Sequence, residues 1–165
     1  MVESPEIELD RLPDDIDHNI VELVDTWYAA LAKTRDGEMP SRTVLTADHF
    51  SRWRDDISIY EYQPVKDDFL IRLDAPSMIA ARGESFLGST PREIDLKFGT
   101  CLLAALRKTL KERRPTFFYV NLFGPQGEHG QWLRILLPAQ TKDQHGNPVQ
   151  QVLGARFAYE PKRYI

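Results

Sequence analysis

Any reaction this chain performs would have to start from a short set of side chains. Cys101 is its one thiol, and it stands in the run Thr100-Cys101-Leu102-Leu103. A nucleophilic cysteine must be a thiolate, favoured by a nearby cation or a helix N-terminus, whereas apolar neighbours favour a protonated core thiol. The sequence therefore predicts a buried, inert Cys101. A single cysteine also excludes an internal disulfide framework and a multi-cysteine metal set within one chain. His18, His49, His129 and His145 are dispersed. None has a second metal-type ligand at helical ligand spacing, so solvated or capping roles are expected. The neighbouring carboxylates Asp55–Asp56 and Asp67–Asp68 sit where a helix ends and a chain turns. Such pairs are solvated more often than they form an acid/base couple across a substrate. There is no Gly-x-Ser-x-Gly elbow and no glycine-rich phosphate loop. No catalytic residue is assigned, and the chain is read as a non-enzyme.

The elements that would position any site follow a definite order. Ile20, Leu23, Val24, Trp27 and Leu31 recur at helical spacing behind Asn19 and Glu22, a capping pair. This helix should end near Lys33, before Gly37 and Pro40. A short helix is expected over Ala47–Asp55, with Phe50 and Trp53 inward. Two strands follow, Ile57–Gln63 and Phe69–Leu73, joined closely enough to be antiparallel neighbours. Phe69, Ile71 and Leu73 should share one face. A short apolar turn, Pro76–Ala81, closes at Gly83. Thr90-Pro91-Arg92-Glu93 is a helix start with cap, first-turn proline and returning glutamate. That helix should be a turn to about Ile94, and a longer one should run from about Lys97 to Arg113, because Gly99 interrupts it. Phe98, Leu102, Ala105, Leu106 and Leu110 form its apolar face. Three more strands end the chain: Thr116–Phe123, Gln131–Pro138 and Gln150–Tyr159. Turns lie at Gly124–Gly127 and Asp143–Pro148. The aromatics Phe117, Phe118, Tyr119 and Phe123 on one strand exceed what one thin face buries, which leaves some for a pocket or another subunit.

Two strands, a helical stretch and three strands do not alternate as a Rossmann or barrel enzyme would. The pattern points instead to a signalling or interaction module. The length suits one domain. The net charge is −4, and the first seventeen residues hold seven acids (Glu3, Glu6, Glu8, Asp10, Asp14, Asp15, Asp17) against Arg11. Residues 1–18 are therefore expected to be an acidic flexible tail, and 19–160 a single domain. The basic stretch Arg107–Arg114 ends a helix, where cations complement the dipole, so nucleic acid is not an expected partner. No leader-like or membrane-spanning run is present, and the chain is expected to be cytoplasmic.

In this order the chain resembles the PAS domain superfamily, closest to the stand-alone PAS proteins of the alphaproteobacterial type. The features that carry the likeness are the leading helix with Trp27, Met39-Pro40-Ser41-Arg42, Phe69-Leu70-Ile71-Arg72-Leu73, Phe86-Leu87-Gly88-Ser89, Arg114-Pro115, Ile135-Leu136-Leu137-Pro138 and Leu153-Gly154-Ala155. Where relatives often have glycine after the Arg-Leu strand, this chain has Asp74-Ala75-Pro76. The resemblance implies an α+β fold: a five-stranded antiparallel sheet with helices on one face, here with an extra N-terminal helix. It implies a sensory or regulatory module that binds a small ligand or a protein. The flavin type needs an Asn-Cys-Arg-Phe-like run, which Cys101 does not stand in. Haem needs an axial ligand, usually histidine, which the long helix lacks; Met78 is a conceivable ligand, but a core methionine is far commoner. No cofactor is expected. A small, largely apolar ligand would lie between the long helix and the sheet, against Ile71, Leu73, Met78, Leu102, Leu106, Phe118 and Leu136. The stripe Ile20, Leu23, Val24, Trp27 and Leu31 either meets a second copy in a dimer or covers its own sheet. A signalling protein is the other expected partner. Two alternatives stay open: a ligand-free interaction module, and a small cone-like α+β enzyme.

Overall fold

The computed structural model describes residues 6–34, 39–123 and 129–160. The fold is α+β, built on one antiparallel sheet. Its elements are β1 (Glu6–Leu9), α1 (His18–Ala32), a 3-10 helix (Ala47–Asp56), β2 (Ile57–Gln63), β3 (Asp68–Leu73), α2 (Pro76–Arg82), α3 (Pro91–Phe98), α4 (Leu102–Glu112), β4 (Thr116–Phe123), β5 (His129–Lys142) and β6 (Pro148–Ala158). The sheet has six strands in the order β1-β4-β5-β6-β2-β3. Strands β2 to β6 supply the expected five. The sixth, β1, lies where a flexible tail was expected, with Glu6 opposite Val120 and Leu9 opposite Phe117. Residues 1–5 and the turn at Gly124–Gly127 lie outside the described residues.

Alternation along the strands makes two cores. One face carries Phe117, Leu133, Ile135, Leu137, Leu153 and Ala155, and packs against α1 and the 3-10 helix. The other, here the inner face, carries Tyr60, Phe69, Ile71, Phe118, Leu136 and Val152, and packs against α3 and α4. Helices thus cover both sides, with α2 to α4 following β3 and the leading helix α1 on the outer face. The stripe of α1 is consumed there. Ile20, Leu23, Val24 and Trp27 are buried in this chain and Leu31 is partly buried. Trp27 Nε1 donates to the carbonyl of Pro138 at 2.7 Å. Burying an apolar side chain of this size contributes roughly 1.5–3 kcal/mol, and the indole bond removes the one polar cost.

Helix ends show where local chemistry decided. The cap of α1 is Asp17, which accepts from the Asn19 amide at 2.8 Å, so the cap precedes the expected one. α3 runs past Ile94 to Phe98, and Gly99 ends it at φ 71°, a left-handed value that glycine reaches without strain. α4 begins at Leu102 with no capping side chain of its own. Asp95 supplies it across the break, accepting from the amides of Leu102 (2.8 Å) and Leu103 (2.9 Å). Cys101, just ahead of α4, is exposed, not the core thiol its neighbours suggested. The apolar residues that follow it turn inward on the helix, while Cys101 lies outside the first turn.

Candidate functional site

The inner face is not uniformly apolar. Register places Ser58 opposite Gly154, Gly154 opposite Leu136, Arg156 opposite Arg134, and Arg134 opposite Phe118. Cross-strand partners share a face, so Ser58, Tyr60, Gly154, Arg156 and Arg134 form a polar band crossing three central strands. Gly154 makes the band continuous. A Cβ there would stand 2.8 Å from Tyr60 Cε2 and 3.3 Å from Leu136 Cδ2, so only glycine lets the edge of the tyrosine ring come this close to the strand.

Each arginine of this region is held differently. Arg82, from α2, makes a two-pronged contact with Asp74 (Nη2–Oδ1 2.5 Å, Nη1–Oδ2 3.1 Å), and both side chains are buried. Asp74 also accepts from the Phe86 amide at 2.8 Å, so this one carboxylate fixes α2 and the segment after it. Ser58 accepts from the Ala75 amide at 2.9 Å, tying the same corner to β2. Arg134 pairs with Glu6 of β1, again with both side chains buried. The second oxygen of Glu6 accepts from the backbone N–H of Cys101, and Glu8 pairs with Lys108 of α4. β1 is therefore bound to the sheet by its backbone and to α4 by its acids. Arg156 is the third cation. Its guanidinium lies 3.7 Å from the centre of the Trp132 ring, and it makes no ion pair among the described residues.

The electrostatics follow from that arrangement. Burial, then repulsion from Arg82 and Arg134, lowers the Arg156 pKa to about 10. Burial also raises the Tyr60 phenol, with Arg134 and Arg82 pulling the other way. The Cys101 thiol is raised by desolvation, then by Glu6 and Asp95, so despite exposure it is a poor nucleophile at neutral pH.

The side chains expected to wall an apolar ligand separate into three groups. Ile71, Leu102, Leu106, Phe118 and Leu136 come together in the inner core. Leu106 and Leu136 have no accessible surface, so no water-sized gap touches them. Met78 is buried in the corner beside Ser58, whose hydroxyl contacts its sulfur at 3.3 Å. Leu73 is 43% exposed. An irregularity in β2–β3 pairing sets Ile59 opposite Leu73 and Tyr60 opposite Ile71, which turns Leu73 away from the face of Ile71. A cleft of about 340 Å³ lies elsewhere, at the end of α4 against Tyr62, Asp67, Arg107 and Lys111, and none of these seven lines it.

The histidines whose side chains are described take capping and surface positions. His49 Nδ1 accepts from the Thr46 amide at 3.2 Å, His18 faces Glu22 at 3.2 Å, and His145 lies in the turn that Asp143 organises. No group of three His, Cys, Asp or Glu among the described residues could hold a metal ion. None of the helices among them is long and apolar enough to cross a membrane. The polar band itself escaped sequence reading. Its one visible signal was an arginine at an inward position of two adjacent strands, Arg134 and Arg156.

No family model matches the chain. No curated protein matches it either. Among solved structures, the chain is similar to a light-oxygen-voltage domain studied with a flavin analogue, at 17% identity and a TM-score of 0.45, over 68% of this chain and 83% of that one. It is also similar to an RNA-binding light-oxygen-voltage receptor, at 14% identity and 0.43, over 93% and 37%. A sensory box histidine kinase/response regulator from Burkholderia thailandensis E264 aligns at 13% identity and 0.33, over 72% and 84%.

Proposed function

We propose that this chain is a PAS-type sensory or regulatory module that acts by binding a small ligand or a protein, not by turning over a substrate. The supporting observation is the polar band of the inner face: the buried pair Arg134–Glu6 joins it to β1, and Ser58, through the Ala75 amide, joins it to the corner where the buried pair Arg82–Asp74 holds α2. Buried ion pairs contribute little net stability compared with apolar packing, so stability alone is a weak reason for two of them. They suit a face whose occupancy alters the hold on β1 and α2, a local charge event with a wider readout. The cytoplasm as location and a second copy or a signalling protein as partner belong to the same reading.

Native mass spectrometry of the purified protein tests it, combined with hydrogen exchange at β1 and α2. A bound small molecule or partner whose removal changes exchange in either element supports the reading. Turnover of a metabolite that depends on a buried carboxylate would overturn it. A ligand-free interaction module is favoured by a different observation: Leu106 and Leu136 are enclosed by protein on all sides, and Leu87 and Leu96 are exposed at 62% and 81%.

A further inference from the structure

Arg156 is out of keeping with the other two arginines of its face. Arg82 and Arg134 each have a buried carboxylate. Arg156 has a half-buried guanidinium, two like charges near it, and no carboxylate among the described residues. A buried charge without a counter-charge is costly and is retained where something else supplies the opposite sign. Its geometry says how. Stacking on Trp132 uses the flat face of the guanidinium. The N–H donors lie in the plane of the group, away from the face that meets the ring, and such an edge matches a pair of oxygens on one anion.

Its surroundings narrow the ligand. Below Arg156 the sheet is closed by Val152, Leu136 and Tyr60, all buried, so the ligand approaches from the open end of the face, beside Trp132 and Ala158. Glu6 and Asp74 show what the neighbouring arginines already donate to, a carboxylate each. Trp132, half-buried, leaves the part of its ring not under the guanidinium as an apolar surface beside the charge.

We propose that Arg156 is the anchor of a small-anion site: a carboxylate or phosphate group engages its in-plane donors, and the ligand's apolar part rests toward Trp132. This rests on the reading of the inner face as the sensing face and gives that ligand its charge. Both anions present the same oxygen pair, and two probes separate them.

The test is calorimetry on the full chain at low salt with benzoate, phenyl phosphate and neutral benzamide, against Arg156→Met and Arg156→Lys. Arg156→Met removes an unbalanced charge and keeps an apolar stem, so it is expected to fold, which near-ultraviolet circular dichroism checks. At least one anion should bind the native chain and benzamide should not. The methionine variant should lose about tenfold or more, the worth of one charge-assisted contact. The lysine variant should fall between, because an ammonium keeps the charge without the fork. Whichever of benzoate and phenyl phosphate binds tighter identifies the group. Binding of benzamide as tight as the anions, unchanged affinity in Arg156→Met, or no binding of either anion overturns the site. The sensory reading fails separately. Anion binding through Arg156 with no change in exchange at β1 or α2 keeps the site and removes the reading. A neutral molecule retained in native mass spectrometry whose removal changes exchange at β1 or α2, with no binding of either anion in calorimetry, keeps the reading and removes the anion site.

Discussion

Adding a single methyl group at Gly154 should be among the more damaging small changes to this protein. The new Cβ would lie 2.8 Å from Tyr60 Cε2 and 3.3 Å from Leu136 Cδ2. Carbon atoms pack comfortably at about 3.5–4.0 Å, so the ring edge must retreat by roughly 1 Å. It has nowhere to go, because Tyr60 is 3% exposed and sits among Phe69, Ile71 and Val152. Overpacking of this kind costs about 1–3 kcal/mol. With a urea slope of about 2 kcal/mol/M, the midpoint for Gly154→Ala should drop by roughly 0.5–1.5 M at unchanged slope. The cause is tested by repeating the change in a Tyr60→Leu background. With the ring edge gone, the added methyl should cost less by about 1–2 kcal/mol, a coupling of the size seen between touching residues. If Gly154→Ala shifts the midpoint equally in both backgrounds, the ring does not lie against Gly154. The continuous polar band described for the inner face would then be wrong.

Three other outcomes are expected. Asp74→Asn strands Arg82 inside the fold, at a cost of about 3–5 kcal/mol and a melting point lower by roughly 10 °C; a loss below about 1 kcal/mol would show that water reaches the pair. Trp27→Ala should cost about 3–5 kcal/mol by opening a cavity between α1 and the sheet, with no change in mass by sedimentation. Dissociation of an oligomer with little loss of stability would instead place the α1 stripe between subunits. Alkylation of Cys101 by iodoacetamide should be slow at neutral pH and reach half its maximal rate at a higher pH than in a short peptide, because a raised pKa leaves less thiolate. Glu6→Gln removes one of the negative charges that raise it and should move that midpoint down; a midpoint that moves up, or not at all, would separate Glu6 from Cys101.

What the sequence showed and hid follows from the range of the forces involved. The strands β2 to β6 and the long helices announce themselves through periodicity, because burial on a sheet face or helix stripe repeats at short intervals along the chain. The inner core residues Ile71, Leu102, Leu106, Phe118 and Leu136 could be named for the same reason. Leu73 could not, since one slip in pairing reverses the face and leaves no trace in composition. β1 was hidden by its own chemistry. Glu6 and Glu8 look like solvated charges, and the arginine that neutralises Glu6 lies 128 positions away. Likewise Asp95 looks like a surface acid of α3 until the break at Gly99 brings it to the start of α4.

β1 also decides where this chain can be cut. The acidic composition of residues 1–18 invites trimming at residue 19, just ahead of the apolar stripe. The cut would remove the strand that pairs with Phe117 to Val120, leaving the N–H and C=O groups of β4 open along one side. An unpaired strand rich in aromatic and branched residues is a template for joining another chain. The same cut would leave Arg134 buried without Glu6 and the backbone N–H of Cys101, just ahead of α4, without its acceptor. A shortened protein beginning at residue 19 should therefore be stickier as well as less stable, and association seen in such a fragment would report a bare sheet edge instead of a property of the full chain.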